Sequence, residues 1–277
     1  MRSEPIRVIT FNAAAGNPAF RTDQRALLEL PFFREIIDGR PGAPILAAQE
    51  VGPGLVAGLR HAAANGHFRL VEIRRPGQGN ALLIPERFEV LSHRSRYFSG
   101  SQLAALAKAL WRAARRRGRF NHRQLLELRM WTEARVRDRR SGAVFTVFNS
   151  HLSGDPQLRL AQARALMRRM HGARRRAPVI LAGDLNTRPA DGRDPVQSQA
   201  DAAVRALFPP LEDMAPAARD PRRAAVDHVL AWGFEPVSAR QYTDESLRLP
   251  GMASAEVISD HYAKEAVVRL HRSRVGP

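Results

Sequence analysis

The chain contains no cysteine. Disulfides, thiolate zinc sites and a cysteine nucleophile are thereby excluded, and any metal must be held by oxygen or imidazole ligands, which suits magnesium, calcium or manganese. No uninterrupted apolar run is long enough to cross a bilayer. The start, "MRSEPIRVITFN", has no apolar block followed by a small-residue cleavage site, so a cytoplasmic protein is expected. No internal repeat and no Ser/Gly-rich linker divides the 277 residues, and a single α/β domain over 1–277 is the simplest organisation.

Acidic residues are scarce beside basic ones, 27 against 44, which leaves a net charge of +17. Such a surface attracts polyanions: nucleic acid is the expected partner, and an acidic membrane surface the second. Nearly all the basic residues are Arg, accompanied by abundant Ala, Gly and Pro, and a GC-rich genome enriches the same types without selection for binding. Composition leaves both explanations open. It calls for no obligate protein partner, and a monomer is expected.

Short apolar segments recur along the chain: "RVITF" (7–11), "APILAAQ" (43–49), "FRLVEI" (68–73), "NALLI" (80–84), "FEVL" (88–91), "AVFTVFN" (143–149), "PVILAG" (178–183), "AVDHVLA" (225–231) and "EAVVRL" (265–270). Several are apolar on both faces, as strands enclosed within a layered sheet are. Helical patterns lie between some of them. The segment 54–66 ends in Asn-Gly, and 155–172 has Asp155 as N-cap, Pro156 at the first helical position and Gly172 as the expected C-cap. Residues 93–124 stand apart as a basic helical insertion. Within it Ser99 and Gln102 form a capping box, Leu103, Leu106, Leu110 and Trp111 share one face, and Lys108, Arg112, Arg115, Arg116 and Arg119 surround them. That pattern fits a solvated surface helix, or an element that grips phosphate or a membrane surface.

Polar groups of one chemical kind punctuate the strand ends. They are Asn12 in "TFN", Glu50 in "AAQEV", His151 in "FNSHL", Asp184 and Asn186 in "GDLN", Asp227 in "VDH", and Asp260 and His261 in "SDH". Ligands of α/β sheets bind just outside strand ends, so these groups are expected to share one site. A carboxylate such as Glu50 can hold Mg²⁺, a second can orient or deprotonate water, and imidazoles can shuttle protons; together they suit metal-assisted phosphoester hydrolysis. Asp227 and His228 alternate along a strand, so only one of them can face the site.

In their order, TFN, QE, GNALL, NxHL, GDxN, DH and SDH, these segments resemble the endonuclease/exonuclease/phosphatase superfamily, whose fold is that of deoxyribonuclease I. The resemblance runs from Arg7 to about Leu270, is weakest over 93–124, and includes the Arg-x-x-Gln pattern in "RLAQARAL" (159–166). It implies a four-layer α/β/β/α sandwich of two mixed sheets packed face to face, with helices outside. It also implies that Glu50 is the principal ligand of Mg²⁺, for which Mn²⁺ or Ca²⁺ could substitute, with Asn12 and Asp260 in the same metal and phosphate network. Asp184 matches the residue that orients or activates the attacking water, and Asn186 a transition-state hydrogen-bonder. His261 matches the histidine beside the scissile phosphate, with Asp227 as its partner, and His151 a second histidine that some members replace by tyrosine. Arg129 and Asn80 match positions that can meet the substrate phosphate. Ala14 and Phe11 depart from the acidic residue and tryptophan of certain abasic-site repair members.

The function expected is a divalent-metal-dependent nuclease. The alternatives are a phosphodiesterase or phosphatase acting on phospholipid, phosphoinositide or a small phosphoester, and, more remotely, a non-catalytic polyanion-binding protein.

Overall fold

The computed structural model describes residues 4–14, 25–75, 78–98, 129–187, 195–208, 212–213, 226–242 and 261–271. Among these residues twelve strands form two six-stranded sheets. Sheet one contains β1 (Ile6–Asn12), β2 (Ile45–Val51), β3 (Phe68–Arg75), β4 (Gln78–Pro85), β11 (Phe234–Gln241) and β12 (Lys264–Leu270), in the order β11-β12-β1-β2-β4-β3. Sheet two contains β5 (Phe88–Tyr97), β6 (Met130–Asp138), β7 (Val144–His151), β8 (Val179–Asp184), β9 (Glu212–Asp213) and β10 (Asp227–Trp232), in the order β5-β6-β7-β8-β10-β9. Each sheet has one parallel pair at its centre, β1 with β2 and β7 with β8, flanked by antiparallel neighbours.

Strand alternation builds the layers. Ile6 and Val8 of β1, Ile45 and Ala47 of β2, Phe145 and Val147 of β7, and Ile180 and Ala182 of β8 meet in the core between the sheets. Ile9, Phe11, Leu46 and Ala48 point the other way and are covered by α1 (Pro31–Ile37) and α2 (Pro53–Ala63). Phe148, Val179 and Leu181 are covered by α3 (Pro156–Arg174) and α4 (Pro195–Leu207). Each fully buried aliphatic or aromatic side chain contributes roughly 1.5–3 kcal/mol, so three such layers make an ample core. The four-layer α/β sandwich implied by the resemblance is the fold observed. Among the described residues no helix is long and apolar enough to cross a membrane.

Some local expectations need correction. Gly172 does not end its helix: α3 runs on to Arg174, with Arg175 as C-cap. The extra residues are retained by tertiary contacts, since Ala173 packs in the outer core and Arg174 lies 4.7 Å over the ring of Trp232. Asp155 is the N-cap as expected, its carboxylate accepting from the backbone N–H groups of Gln157 and Leu158. The strand at 88–91 continues through Tyr97, so residues 93–97 of the supposed insertion are sheet residues. The remainder of that basic segment, 99–124, lies outside the described residues.

Candidate active site

At one edge of the sandwich the carboxyl ends of β1, β2, β7 and β8 come together with the amino ends of their antiparallel partners. Here β1 and β8 end in the same local device. The Asn12 side-chain oxygen accepts from the Ala14 N–H at 2.9 Å, and Asp184 Oδ1 accepts from the Asn186 N–H at 2.8 Å. In both turns the third residue takes a positive φ, 50° at Ala14 and 52° at Asn186. Asn tolerates that conformation; Ala does so less readily, and such a residue costs on the order of 1–3 kcal/mol. Asn12 Nδ2 then donates to Asp184 Oδ2 at 3.0 Å, joining one sheet to the other. Behind Asp184, a Cβ on Gly183 would lie 2.0 Å from the Ser150 carbonyl oxygen, so only glycine lets β7 and β8 approach this closely.

Glu50 reaches the site through a bulge. Ala48 pairs with Ala81 and Val51 with Gly79, which leaves one residue more on β2 than on β4. Gln49 points between the sheets, so strict alternation would send Glu50 outward; the bulge and a φ of 50° at Glu50 re-aim it. Asn149 of β7 spans this irregularity, donating to the carbonyls of Ala48 and Ala81 at 2.9 Å each while accepting from Gln49 Nε2 at 2.9 Å. Glu50 Oε1 lies 3.6 Å from Arg129 Nη1 and 3.7 Å from His151 Nδ1.

His151 sits between the carboxylates, its Nε2 3.3 Å from Asp184 Oδ2 and 3.2 Å from the Asn186 Nδ2 amide. Arg129 Nη1 lies 2.7 Å from its ring nitrogens. A guanidinium offers only protons, so it can donate only to a ring nitrogen that carries none. Asn186 also donates to the Leu152 carbonyl at 2.8 Å. On the other side His261 Nδ1 lies 2.8 Å from Asp227 Oδ2, and His261 Nε2 points toward Asp184 Oδ2 at 3.8 Å. Burial pushes the Asp184 carboxyl up to about 6, with the negative charge of Asp227 adding to the effect; His261, the Asn186 N–H and Arg129 oppose it.

The family model for the Endonuclease/Exonuclease/phosphatase family matches residues 9–261. The chain belongs to this family. Solved structures agree on the fold of this phosphoesterase family. D. rerio TDP2, complexed with a single-strand DNA product, aligns with a TM-score of 0.66 at 16% identity, covering 96% of this chain and 99% of that one. An endonuclease/exonuclease/phosphatase from Bacteroides vulgatus gives 0.64 at 17% identity, covering 97% and 100%. The human Nocturnin catalytic domain, with a bound sulfate anion, gives 0.64 at 17% identity, covering 96% and 93%. No curated protein matches the chain significantly.

Of the residues singled out in the sequence, Asn12, Glu50, Arg129, His151, Asp184, Asn186, Asp227 and His261 are brought together at this edge. Asn80 lies one layer back, donating to the Met130 carbonyl at 3.1 Å beside the start of β6. Asp260 lies outside the described residues. Asp227, not His228, faces the site, while His228 Nε2 is 2.9 Å from the Thr187 hydroxyl. The donors suit a hard divalent cation. Asp184, Asp227 and His261 each offer a ligand atom within 4.8 Å of the others, and Asp227 Oδ1 is buried with no hydrogen-bond partner among the described residues. This cluster excludes Glu50, whose close side-chain neighbours are Arg129 and His151.

Residue patterns missed Lys264, which is buried and donates from Nζ to the Asp227 carbonyl at 2.8 Å. A signal for it existed: it is one of two lysines in an arginine-rich chain. The Arg-x-x-Gln pattern acquires a physical role in α3. The Gln162 side-chain oxygen accepts from the Ser153 N–H at 2.7 Å, and Arg159 donates to the Gly154 carbonyl at 3.2 Å while pairing with buried Asp201 at 2.6 Å. These bonds fix the turn that follows His151.

Proposed function

We propose that the chain is a divalent-metal-dependent nuclease that hydrolyses phosphodiester bonds in DNA or RNA. The observation that carries this reading is the junction at Asp184. One buried carboxylate faces Asn12 from sheet one and His151 and His261 from either side, and the two sheets together enclose it. Support for a nucleic-acid substrate comes from the charge of +17 and from a structural neighbour captured with a single-strand DNA product.

In this reading Glu50 holds the cation, with Asn12 and Asp260 as expected partners and the Asp184–Asp227 pair close by. A bound Mg²⁺ or Mn²⁺ supplies Lewis-acid polarisation of the phosphate and neutralises crowded carboxylate charge. Asp184, raised toward neutrality by burial, orients the attacking water and takes its proton. Asp227 fixes the tautomer of His261, so that the outer ring nitrogen faces the phosphate. Arg129 meets a non-bridging phosphate oxygen, and Asn186, anchored on Leu152, donates to the charge that develops there.

The test is nicking of supercoiled plasmid by purified protein with Mg²⁺ or Mn²⁺, beside EDTA and Asp184→Asn controls. Metal-dependent nicking that vanishes in the variant is expected. Folded protein that nicks no DNA or RNA but hydrolyses phospholipid or a small phosphoester would overturn the nuclease assignment, and absence of all hydrolysis with any divalent metal would leave a polyanion-binding protein.

A further inference from the structure

Away from the catalytic edge, the outer face of sheet two carries a cavity of about 180 Å³ lined by Ser92, Glu133, Arg135, Thr146, Arg169, Ala173 and Arg176. It lies between the exposed edge of the sheet, β5 and β6, and the last turns of α3. The small side chain of Ala173 leaves room under the helix, and Thr146 is a buried hydroxyl-bearing residue in the lining. Arg169 is committed to Glu133 through a two-pronged ion pair. Arg135 and Arg176 have no carboxylate within ion-pair distance among the described residues, so the recess carries a net charge of about +2 by the formal count of ionised side chains.

Its surroundings add to this charge. Arg94 and Arg96, opposite Glu133 and Trp131 in register, are exposed on β5. Exposed Arg164, Arg168, His171 and Arg175 follow one another along the solvent side of α3. A merely solvated helix face would interleave Glu or Asp at four-residue spacing, because like charges there destabilise the helix. Residues 156–174 contain no acidic residue at all. The helix tolerates a repulsion that a bound polyanion would relieve.

We propose that this recess is a second phosphate-binding site, which grips a nucleic-acid backbone at a distance from the bond being cut. Arg135 is five residues along β6 from Met130, and at 3.3 Å per residue that is roughly 17 Å from the catalytic edge. Arg169 is thirteen residues along α3 from Pro156, or roughly 20 Å at 1.5 Å per residue. A duplex rises about 3.4 Å per base pair, so one seated at the edge must extend some five pairs or more to reach the recess. Nucleic acid is the occupant favoured over a membrane surface for two reasons. The site is concave, and among the described residues the large exposed apolar side chain is Val237 on β11 of the other sheet, so no described residue beside the recess offers a large exposed apolar side chain to lipid.

This inference deepens the nuclease reading, and the test separates the two. Affinity for a duplex of about 30 base pairs, far longer than the five needed at 3.4 Å per pair, is measured by fluorescence anisotropy in EDTA across a salt series. Wild type is compared with R135E/R176E and the milder R135Q/R176Q, with circular dichroism to verify folding. R135E/R176E should bind at least about tenfold more weakly, and the slope of log K against log salt should shrink by about 2. Hydrolysis of a small chromogenic phosphodiester with Mn²⁺ should be unchanged. If R135E/R176E fails to fold, the neutral pair carries the test, with the same loss of slope expected. Duplex affinity and salt slope within twofold of wild type would overturn the proposal while leaving the catalytic reading untouched. Loss of binding to phosphatidylserine vesicles with duplex affinity retained would also overturn it, in favour of a membrane contact. Arginine-dependent duplex binding by a protein that cleaves no phosphoester would sustain it and sink the nuclease assignment instead.

Discussion

The two sheets are wound alike, each with a central parallel pair and antiparallel flanks, yet they distribute charge differently. On the side of sheet one, arginines are spent internally: Arg7 meets Glu35 and Glu265, Arg34 meets Glu29, Arg60 meets Glu72, and Arg240 meets Glu265. Glu265 stands at the centre of this side, also accepting from the Tyr242 hydroxyl at 2.6 Å. On sheet two Asp184 and Asp227 face each other at the catalytic edge, Asp138, Glu89 and Glu133 pair with Arg87, Arg137 and Arg169, and Arg135 and Arg176 of the outer face have no carboxylate within ion-pair distance among the described residues. Charge that is paired locally contributes to stability; charge left over is available to a ligand.

Removing one carboxylate from each sheet would break or confirm that division. Asp184→Asn should lower turnover by about a thousandfold or more, with the melting temperature shifted little, because the loss falls on proton transfer. Glu265→Gln should leave turnover within a few fold while costing roughly 2–4 kcal/mol in urea denaturation, since it strands buried donors. If both variants lost activity and stability in the same proportion, the two sheets would not be dividing their charges as described.

The next contrast lies within sheet two. On the helices that cover it, the fully buried ion pair of Arg159 with Asp201 joins α3 to α4 beneath the turn after His151. Asp201→Ala should cost about 3–5 kcal/mol and also reduce turnover, because Arg159 holds the Gly154 carbonyl. Stability lost without activity would detach that turn from the site.

The pH dependence sharpens the comparison further. Burial alone would raise the Glu265 carboxyl, but hydrogen bonds from Arg7, Tyr242 and Arg240, with the charge of Arg7, hold it below its usual value of 4.5. A depressed folded value means stability that is present above 4.5 and lost as pH falls through the lower, folded value. Melting temperature should therefore drop on acidification below pH 4.5 in wild type and drop less steeply in Glu265→Gln. The smallest effect belongs to the exposed pair Arg34–Glu29, where Arg34→Ala should cost under about 0.5 kcal/mol and become negligible in high salt.

Much of this was legible in the sequence, because the strand tips carry their chemistry in short runs. "GDLN" encodes a close-packed glycine, the buried carboxylate and the asparagine of the turn in four residues. What escaped the pattern was set by geometry between elements. Nothing in "AAQEV" tells that Glu50 is turned by a bulge whose partner strand lies thirty residues on, or that Asn149 from the other sheet braces it. β6 was hidden because Glu133, Arg135 and Arg137 sit on a lightly covered outer face, leaving only Ala134 and Val136 as its inward apolar signal. β11 was hidden because it is an edge strand with Pro236 in it and six consecutive exposed positions, Glu235–Arg240, within it.

The hydrogen bond from Asn12 to Asp184 spans 172 positions of the chain. A polypeptide emerging from the ribosome displays Asn12 and Glu50 early, with nothing yet opposite them, and His261 is added only after both sheets have most of their strands. Contacts of such sequence separation form late. The catalytic edge is therefore incomplete in the nascent chain until synthesis has passed His261, and whatever chemistry it performs is switched on by the completion of the chain itself.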